Sequence, residues 1–539
     1  MHPNLDGVYG LHSGFLTSVA RFPQHPALDV DGSVYTYHEL YNHSAAIAAA
    51  IVDRLPVEAP SMVGILANRS LPVYSGILGS LMSGRGVVPL NPGFPSERTL
   101  QMMTLAGLQA VVVDADAAKQ LDVLLQGLSQ PLLVLLPQTD DVDDLRSRWP
   151  QHSFLAQPDL PTPASDWMPV SVQPDDVAYL FFTSGSTGMP KGVGVLHRNA
   201  LGFVTMSLQR YRDIGIDPTD RFSQFYDITF DSSLFDLFVS WAFGACLCAP
   251  SAREWFNPNR YILDKALTVI DIVPSAGHSM NRRDGWRPGR FPDLRLGRFG
   301  GEALSADLAA ALAAAAPNAV IDNAYGPTEC TVDAAYYRWD PDRSPGESRH
   351  GMVPIGYAGT GVDLLVVDEH LAEVPVGDDG ELMIGGPQVT PGYWNDPERT
   401  ASVFLTLPGR QGVYYRTGDL VKRPAPGQPI LFLGRMDHQI KIGGVRIELG
   451  EVEAVLRDVA GTDQAVALGW PVISSGAAGI VAFVEAAHDD PQAIRAVLRD
   501  KLPNVMVPRE IRVLDQLPLN VNGKVDRKAL LEILKGEST

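Results

Sequence analysis

Cysteine, basic residues and long apolar runs are all scarce in this chain. The 539 residues include only three cysteines, and this odd count argues against a disulfide framework or a zinc site and for a reducing compartment. Lysine and arginine number 43 against 62 aspartates and glutamates, and the formal charge of −19 argues against nucleic acid or an anionic membrane as a partner. No apolar run approaches the roughly 20 residues of a membrane span, and the N-terminus shows no signal-peptide pattern. We therefore expect a cytoplasmic protein that binds neither nucleic acid nor membrane.

What the chain does contain is a long alternation of strand-like and helical segments. A chain of 539 residues is too long for one ordinary core, so we expect more than one domain. Apolar strand-like runs lie at residues 61–67, 85–90, 110–115, 131–137, 266–275 and 319–326. Helical patterns lie at residues 38–55, 73–83 and 305–316. Strands that alternate with helices predict mostly parallel sheets covered by helices.

The pattern changes after about residue 351, where short strands alternate with Gly/Pro turns. This texture predicts a β-rich subdomain. After Arg435 the sequence predicts a strand pair, a helix from about Leu449, and further strands and helices to the end. We therefore predict an α/β protein with a large N-terminal domain at 1–436, which includes the β-rich subdomain, and a small α+β C-terminal domain at 437–539.

The most informative stretch is residues 180–192, LFFTSGSTGMPKG, in which an apolar run breaks into hydroxyls and glycines. Such a loop presents backbone N–H groups and hydroxyls to an anion, and Lys191 adds a charge suited to phosphate. The loop is not a Walker A motif, because Gly192 follows the lysine where that motif has serine or threonine. A flexible Gly/Ser linker is the alternative, but the preceding apolar strand and the closing Pro-Lys-Gly favour phosphate binding.

Taken with this loop, several other segments resemble the motifs of one family, the adenylation domains of nonribosomal peptide synthetases. They occur in the family's order across essentially the whole chain. The segments are VVPLNPGFPSERT (87–99), FDSSLFDLF (230–238), NAYGPTE (323–329), GELMIGGPQVTPGYWN (380–395), YRTGDL (415–420), GRMDHQIKIGGVRIELGEVE (434–453) and LPLNVNGKVDRKAL (517–530). The resemblance implies formation of an acyl-adenylate from ATP and a carboxylate, followed by transfer of the acyl group to a thiol.

The same resemblance implies an ATP site and a Mg²⁺ contact. The ATP residues it implies are Thr183, Ser184, Gly185, Ser186, Thr187, Gly188, Lys191, Gly301, Glu302, Ala303, Asn323, Ala324, Tyr325, Gly326, Asp419 and Arg435. Within this set Tyr325 offers an aromatic face to adenine, and Asp419 accepts hydrogen bonds from the ribose hydroxyls. Glu329 is similar to the family's magnesium-contacting carboxylate and is counted with Thr328 among the catalytic residues.

Lys524 and Asp437 have roles that come from the resemblance alone. Lys524 matches the lysine on which adenylate formation depends, because its charge stabilises the charge that grows at the α-phosphate. Asp437 matches the hinge about which a mobile C-terminal domain rotates between two states. The segment after it is similar to a loop that faces the active site in the second state. Gly443 stands where the family usually has arginine.

The carboxylate substrate is an amino acid if Asp231 has the role that the resemblance implies. There an aspartate pairs with the substrate's amine, although Asp231 alone can also be read as a helix N-cap. The other implied pocket positions are Ser232, Phe235, Asp271, Arg298, Gly300, Val332 and Asp333. Asp271 and Asp333 suit a basic side chain, Arg298 suits an acidic one, and an internal Arg298–Asp pair suits a small one. These alternatives stay open here.

The thiol acceptor implied by the resemblance is the phosphopantetheine of a separate carrier protein. Because the chain starts with methionine and ends soon after Lys524, we expect a stand-alone, monomeric enzyme or a piece excised from a larger synthetase. The rivals are a D-alanine:carrier-protein-ligase-like enzyme, to which the Gly-Glu-Ala-Leu and Phe-Asp-Ser-Ser strings are similar, and an acyl- or aryl-CoA ligase. A non-catalytic nucleotide-binding module is the third alternative.

Overall fold

The computed structural model describes residues 9–56, 62–164, 166–185, 189–437, 439–462, 464–473, 476–485, 490–519 and 525–536. Within these ranges it confirms the predicted α/β class, with two large sheets, a β-rich subdomain and a C-terminal α+β part. In the described part of the chain, no helix combines the length and the apolar character needed to cross a membrane.

The first large sheet is parallel except at one edge, where its last strand returns antiparallel. Its strands are apolar along nearly their whole length, as expected for a sheet that is buried on both faces. In spatial order they are Ser153–Ala156, Leu133–Leu136, Ala110–Val113, Met62–Leu66, Gly86–Leu90, Val177–Thr183 and Lys191–Leu196.

The second large sheet has nine strands, parallel in the middle and antiparallel at both edges. In spatial order they are Tyr357–Ala358, Ala335–Arg338, Val320–Tyr325, Leu296–Phe299, Val269–Ile272, Arg221–Ser223, Cys246–Cys248, Pro26–Val30 and Ser33–Thr36. One continuous core joins this sheet to the first through aromatic residues such as Phe181, Phe222 and Trp241.

The β-rich subdomain is an antiparallel sheet of five strands, as its Gly/Pro-rich sequence predicts. Its strands are Asp363–Val367, Asp379–Gly385, Phe404–Leu405, Tyr414–Lys422 and Leu431–Arg435. The C-terminal part has a hairpin (Gln439–Ile442, Val445–Glu448), a three-stranded sheet (Ala465–Gly469, Ile480–Glu485, Glu510–Leu514) and a short hairpin (Val472–Ile473, Gly476–Ala477).

Helices cover the sheets at the places where the sequence has helical periodicity. The predicted segments 38–55, 73–83 and 305–316 correspond to Tyr37–Arg54, Leu71–Met82 and Ala306–Ala315. The others are Ser13–Arg21, Ser96–Ala106, Leu121–Gly127, Asp143–Arg148, His197–Arg212, Ser240–Phe243, Ala252–Trp255, Pro258–Asp264, Pro274–Asp284, Ser344–Glu347, Pro397–Val403, Leu449–Ala460, Pro491–Lys501 and Arg527–Gly536. The helix Tyr37–Arg54 begins at a capping box, in which the side chains of Thr36 and Glu39 each accept the other's backbone N–H.

Three parallel strands of the two sheets end beside one another at the same side of the molecule. They are Val177–Thr183, Leu296–Phe299 and Val320–Tyr325, and the residues that follow them border one large cavity. Ligands in open α/β sheets bind outside the carboxyl ends of parallel strands. The fold therefore places the predicted phosphate loop and the predicted nucleotide residues around one space.

Candidate active site

A cavity of about 1040 Å³ lies between the two large sheets, the β-rich subdomain and the C-terminal hairpin. Many of the residues that the sequence singles out line it, although they come from distant parts of the chain. They are Thr183, Ser184, Asp231, Ser232, Gly301, Glu302, Ala303, Asn323, Ala324, Tyr325, Gly326, Thr328, Val332, Asp333, Asp419 and Arg435. Lys441 and Arg446 of the C-terminal hairpin close its other side.

The phosphate loop connects the two antiparallel edge strands of the first sheet, with Thr183 opposite Lys191. A Cβ on Gly185 would lie 2.2 Å from the carbonyl oxygen of Met189, so this turn requires glycine. The Gly185 N–H donates to the Glu451 carboxylate at 3.0 Å, which is the kind of acceptor expected for an anion-binding loop. The predicted loop residues Ser186, Thr187 and Gly188 lie outside the described residues.

Ser184 connects the same loop to the C-terminal hairpin. Its hydroxyl donates to the Arg446 carbonyl at 2.7 Å and accepts from the Glu448 N–H at 3.1 Å. Glu451 is in turn paired with Arg98, and both side chains are buried. The structure therefore has the C-terminal part docked directly against the phosphate loop.

Glu329 is fully buried in the single turn Thr328–Cys330, where three donors surround its carboxylate. The Tyr393 hydroxyl donates to it at 2.8 Å, and Arg446 Nη1 donates to both carboxylate oxygens at 3.1 and 2.8 Å. Although burial opposes ionisation, Arg446 and Lys191 hold the pKa of Glu329 well below its usual range. The carboxylate is therefore ionised and is held by cations on opposite sides of the domain boundary.

Lys191 lies beside this carboxylate, with its Nζ 3.5 Å from Glu329 Oε1 and 3.8 Å from Glu448. The ammonium also lies 5.0 Å from the centre of the Tyr393 ring. Burial, helped by the nearby Arg446 charge and opposed by Glu329, lowers the pKa of Lys191 to about 8. Lys191 therefore stays largely charged at neutral pH in a dry environment, where its interaction with an anion is strong.

Asp419, Tyr325 and Arg435 form a connected group on the nucleotide side of the cavity. The Tyr325 hydroxyl donates to Asp419 Oδ2, and Arg435 Nη1 donates to Asp419 Oδ1 at 2.8 Å. Arg435 also donates through Nε to Asp437 Oδ1 at 3.0 Å, which ties the predicted hinge residue to the same group. Asp437 lies between the last strand of the β-rich subdomain and the C-terminal hairpin. Its role as a hinge stays a prediction.

Gly301, Glu302 and Ala303 follow the strand Leu296–Phe299 and turn into the cavity. Gly301 has φ +81°, a conformation that favours glycine. The Glu302 carboxylate accepts the Ser275 N–H at 2.8 Å and the Gly444 N–H at 2.7 Å. The segment that the sequence assigns to adenine therefore also holds the Gly-Gly turn of the C-terminal hairpin.

Asp231 faces the cavity from the loop before the π-helix Phe235–Val239. Its main-chain carbonyl accepts the Leu234 N–H at 2.9 Å, whereas its carboxylate atom Oδ2 is buried without a hydrogen-bond partner. Burial raises the pKa of Asp231 to about 6, with a hydrogen bond from Thr328 opposing the shift and Asp333 adding to it. A buried carboxylate oxygen without a donor favours a ligand contact over a helix cap.

Four of the predicted pocket residues, Phe235, Asp271, Arg298 and Gly300, do not line the cavity and lie behind its wall. Asp271 and Arg298 belong to an internal ion cluster, in which Arg298 Nη1 donates to Asp271 and Nη2 donates to Asp333. Arg298 is 1% exposed, and its guanidinium lies 4.4 Å from the centre of the Phe235 ring. Of the predicted pocket positions, Asp231, Ser232, Val332 and Asp333 line the cavity, and the role of the whole set in reading the substrate stays a prediction. Asp333 alone of the ion cluster reaches the cavity.

Sequence reasoning assigned no role to five residues that contact the predicted site. Arg446 and Tyr393 contact Glu329, and Glu448 contacts Lys191. Glu451 contacts the phosphate loop and is itself paired with Arg98. Most of these contacts cross more than 100 residues of chain, so periodicity gives no sign of them. One local sequence pattern could have pointed to Arg446 and Glu448. It is the group of basic and acidic residues that directly follows the Gly-Gly turn of the hairpin.

Comparison with known proteins agrees with this geometry. Residues 15–394 match the family model described as AMP-binding enzyme, and residues 451–524 match the AMP-binding enzyme C-terminal domain. Tyrocidine synthase 3 of Brevibacillus parabrevis is 33% identical over 520 residues, which cover 96% of this chain and 7% of that protein. Phosphinothricin tripeptide synthetase PhsC of Streptomyces viridochromogenes is 33% identical over 531 residues, which cover 96% of this chain and 45% of that protein. This chain thus spans less than half the length of either relative.

A solved structure also matches this chain over nearly its whole length. The adenylation domain AlmE of Vibrio cholerae, solved in complex with glycyl-adenosine-5'-phosphate, is 30% identical with a TM-score of 0.87. The match covers 99% of both chains. The fold, the arrangement of the cavity and the family models agree, and the chain belongs to the AMP-binding enzymes as an adenylate-forming ligase of the peptide-synthetase adenylation-domain type.

Proposed function

We propose that this enzyme activates an amino acid as aminoacyl-AMP and passes the aminoacyl group to the phosphopantetheine thiol of a separate carrier protein in natural-product biosynthesis. In the first step a carboxylate oxygen of the amino acid attacks the α-phosphorus of ATP. The bond from this phosphorus to the bridging oxygen breaks, and pyrophosphate leaves. In the second step the thiolate attacks the aminoacyl carbonyl carbon, the bond to the phosphate oxygen breaks, and AMP leaves.

The observation that supports an amino acid most directly is the unpartnered Oδ2 of Asp231. This carboxylate oxygen is buried in the wall of the cavity that also holds the nucleotide residues. An ammonium group is the natural partner for this oxygen, because a buried carboxylate oxygen that accepts no hydrogen bond is costly. A fatty or aryl acid that carries neither an amine nor a hydroxyl has no group that would satisfy it.

The first step draws on residues from both sides of the cavity. The phosphate loop and Lys191 bind the phosphates. Asp419, which accepts hydrogen bonds from Tyr325 and Arg435, holds the ribose. Lys524, which lies outside the described residues, supplies positive charge near the α-phosphate once the C-terminal domain has rotated.

Glu329 suits a Mg²⁺ contact, because its buried carboxylate is ionised and already attracts two cations. Among the described residues no group of three or more His, Cys, Asp or Glu side chains is arranged to hold a metal. A Mg²⁺ ion held by Glu329, with Thr328 beside it, would take its remaining oxygen ligands from phosphates and water, as this ion commonly does. It would supply positive charge against the phosphates. Arg446 must leave Glu329 before that position can be used.

The docked C-terminal hairpin, in which Arg446 pairs with Glu329, suits the second step. A second cavity of about 480 Å³ lies beside the first and shares Tyr226, Phe230 and Gly444 with it. The Gly443–Gly444 turn, Arg69 and Trp255 are among the residues that line this second cavity. A largely apolar cavity that adjoins the first suits a pantetheine arm that carries a thiol to the adenylate.

Two related reactions are the alternatives. A D-alanine:carrier-protein-ligase-like enzyme would use the same residues with a different amino acid and carrier. An acyl- or aryl-CoA ligase would need neither an amine nor Asp231. The relatives named peptide synthetases and the glycyl-adenylate bound by AlmE favour an amino acid over an amine-free acid.

The proposed function is tested by pyrophosphate exchange with each proteinogenic amino acid and with β- and D-amino acids. Amino-acid-dependent exchange supports it, and mass spectrometry of a phosphopantetheinylated carrier protein then tests the transfer step. Activity with amine-free acids and CoA alone, with no exchange in the presence of any amino acid, would show that the enzyme is a CoA ligase.

The raised pKa of Asp231 predicts how substrate capture depends on pH. Only the ionised carboxylate pairs with an ammonium group, and its pKa of about 6 in the free enzyme is above the usual value for aspartate. We therefore expect kcat/KM for the amino acid to fall about tenfold per pH unit below pH 6. The measurement is the pH profile of kcat/KM in pyrophosphate exchange. A profile that stays flat between pH 6 and pH 5, in protein that remains folded, would contradict this role.

Replacing Arg446 by alanine is expected to slow thiol transfer relative to adenylate formation by about tenfold. Arg446 joins the C-terminal hairpin to buried Glu329, so its loss removes a contact that exists only when the hairpin is docked. The measurement compares carrier loading with pyrophosphate exchange in the same preparation. Arg499→Ala, an exposed arginine in the C-terminal part, is the control and should leave this ratio unchanged.

A further inference from the structure

We propose that the amino acid has a small, uncharged side chain, of the glycine or alanine class, because the Arg298–Asp271–Asp333 ion cluster occupies the space that a larger side chain would need. This inference rests on the proposed amino-acid activation and names the substrate class of the same site.

The ion cluster is fixed by strand pairing. Asp271 and Arg298 lie opposite each other on the neighbouring parallel strands Val269–Ile272 and Leu296–Phe299. Asp333 reaches Arg298 from a turn in which Thr331 and Val332 have φ of 55° and 70°, which L-residues rarely adopt. The guanidinium is therefore held from two directions, with a carboxylate on each of its two terminal nitrogens.

Packing prevents the ion cluster from moving aside. The Phe235 ring lies against the guanidinium, 4.4 Å from its central carbon. The turn that carries Asp333 presses against the strand end at Gly326, where a Cβ would lie 2.3 Å from the Val332 carbonyl oxygen. Close-packed backbone and a buried ring leave no direction in which Arg298 can retreat.

The charges also argue against an ionic side chain on the substrate. A basic side chain would have to share the Asp333 carboxylate, which reaches the cavity, with Arg298. Asp236 does not line the cavity, and burial raises the pKa of its carboxyl well above the usual range. An acidic side chain needs a free guanidinium, but both terminal nitrogens of Arg298 are used. Taking either partner away would leave a buried charge uncompensated.

The amine anchor and the ion cluster border the same cavity. Asp231, Val332 and Asp333 all line it, so the outer carboxylate of the ion cluster faces the space in which the substrate's amine would bind. The α-carbon of a substrate held at Asp231 then has Val332 and Asp333 beside it. A hydrogen or a methyl group fits in this space, whereas a long side chain would meet the ion cluster.

The test begins with wild-type enzyme and pyrophosphate exchange across all proteinogenic amino acids. We expect kcat/KM for glycine or alanine to exceed that for leucine, phenylalanine, lysine, arginine and glutamate by about tenfold or more. A preference for any of these larger or charged amino acids overturns the inference while leaving the proposed function intact. If no amino acid supports pyrophosphate exchange, the proposed function is refuted instead.

A variant then tests whether the ion cluster is the cause. In the combined Asp271→Ala, Arg298→Ala and Asp333→Ala variant, we expect the leucine-to-alanine ratio of kcat/KM to rise by about tenfold or more. Arg295→Ala is the matched control, because Arg295 lies three positions before Arg298 and pairs with Asp220 away from the cavity. An unchanged ratio in a folded triple variant would overturn the assignment.

A binding measurement keeps the inference falsifiable if the triple variant does not fold. Non-hydrolysable glycyl- and leucyl-adenylate analogues are titrated into wild-type enzyme by calorimetry. We expect the glycyl analogue to bind about tenfold more tightly or better, because the leucyl side chain would have to displace the ion cluster. Equal affinities, or tighter binding of the leucyl analogue, would overturn it.

Discussion

Replacing Asp231 by alanine is expected to lower kcat/KM for the amino acid by about 10²–10³-fold in pyrophosphate exchange. The carboxylate atom Oδ2 is buried without a partner in the cavity wall, so the substrate's ammonium is the group that would satisfy it. In the variant the ammonium would be buried without a counter-charge, and its desolvation would no longer be offset. ATP binding should change little, because the proposed nucleotide contacts are Asp419, Tyr325 and Arg435, which hydrogen-bond to one another.

Asp231→Asn and a deaminated substrate separate this explanation from a general loss of structure. The asparagine variant keeps the shape and removes the charge, so it should lose nearly as much activity as the alanine variant. Wild-type enzyme should discriminate strongly between the preferred amino acid and its deaminated acid, and the Asp231→Asn variant should discriminate far less. Equal discrimination in both proteins would mean that Asp231 does not read the amine.

The sequence was sufficient to predict the fold because its signals are local. The strand at Val177–Thr183 and the helix Ala306–Ala315 follow from an uninterrupted apolar run and an alanine-rich segment. The β-rich subdomain follows from short strands between glycines and prolines. The observed ends differ from the predicted ones by one to three residues at most of these elements, since capping and tertiary packing decide the last turn.

The state of the substrate pocket was not predictable, because it depends on long-range pairing. The sequence shows Asp271, Arg298 and Asp333 as three charged positions and leaves basic, acidic and small substrates equally open. Only strand register brings Asp271 opposite Arg298, and only the unusual turn at Thr331–Val332 brings Asp333 to its other side. Pairing holds Asp271 and Arg298 behind the cavity wall, with Asp333 at its surface.

The contacts around Glu329 were hidden for the same reason. In the structure the cations nearest this buried carboxylate are Arg446 and Lys191. Arg446 approaches from the C-terminal hairpin, which is also held by Ser184 and Glu302. While these contacts persist, Arg446 stays paired with Glu329. If Glu329 contacts Mg²⁺ during adenylate formation, as proposed, the hairpin has to release it first.

Replacing Lys524 by alanine is expected to lower the rate of adenylate formation by about 10²–10³-fold. Its charge would stabilise the α-phosphate in the transition state, and neither Lys191 nor Arg446 can replace it while they neutralise Glu329. ATP binding should persist, because Lys524 acts on charge that develops during the reaction. The measurement is amino-acid-dependent pyrophosphate exchange, with ATP affinity determined separately by calorimetry.

The second half-reaction provides the decisive control for Lys524. If the lysine acts only in adenylate formation, the variant should still load a carrier protein from chemically prepared aminoacyl-AMP at close to the wild-type rate. Lys528→Ala, an exposed lysine four positions away, should leave both steps unchanged. Equal losses in both steps would instead indicate a folding defect or a direct role in transfer, and an unchanged exchange rate would refute the assignment. A loss confined to the first step would mean that Lys524 acts in the cavity during adenylate formation, whereas the Gly-Gly hairpin occupies it during thiol transfer.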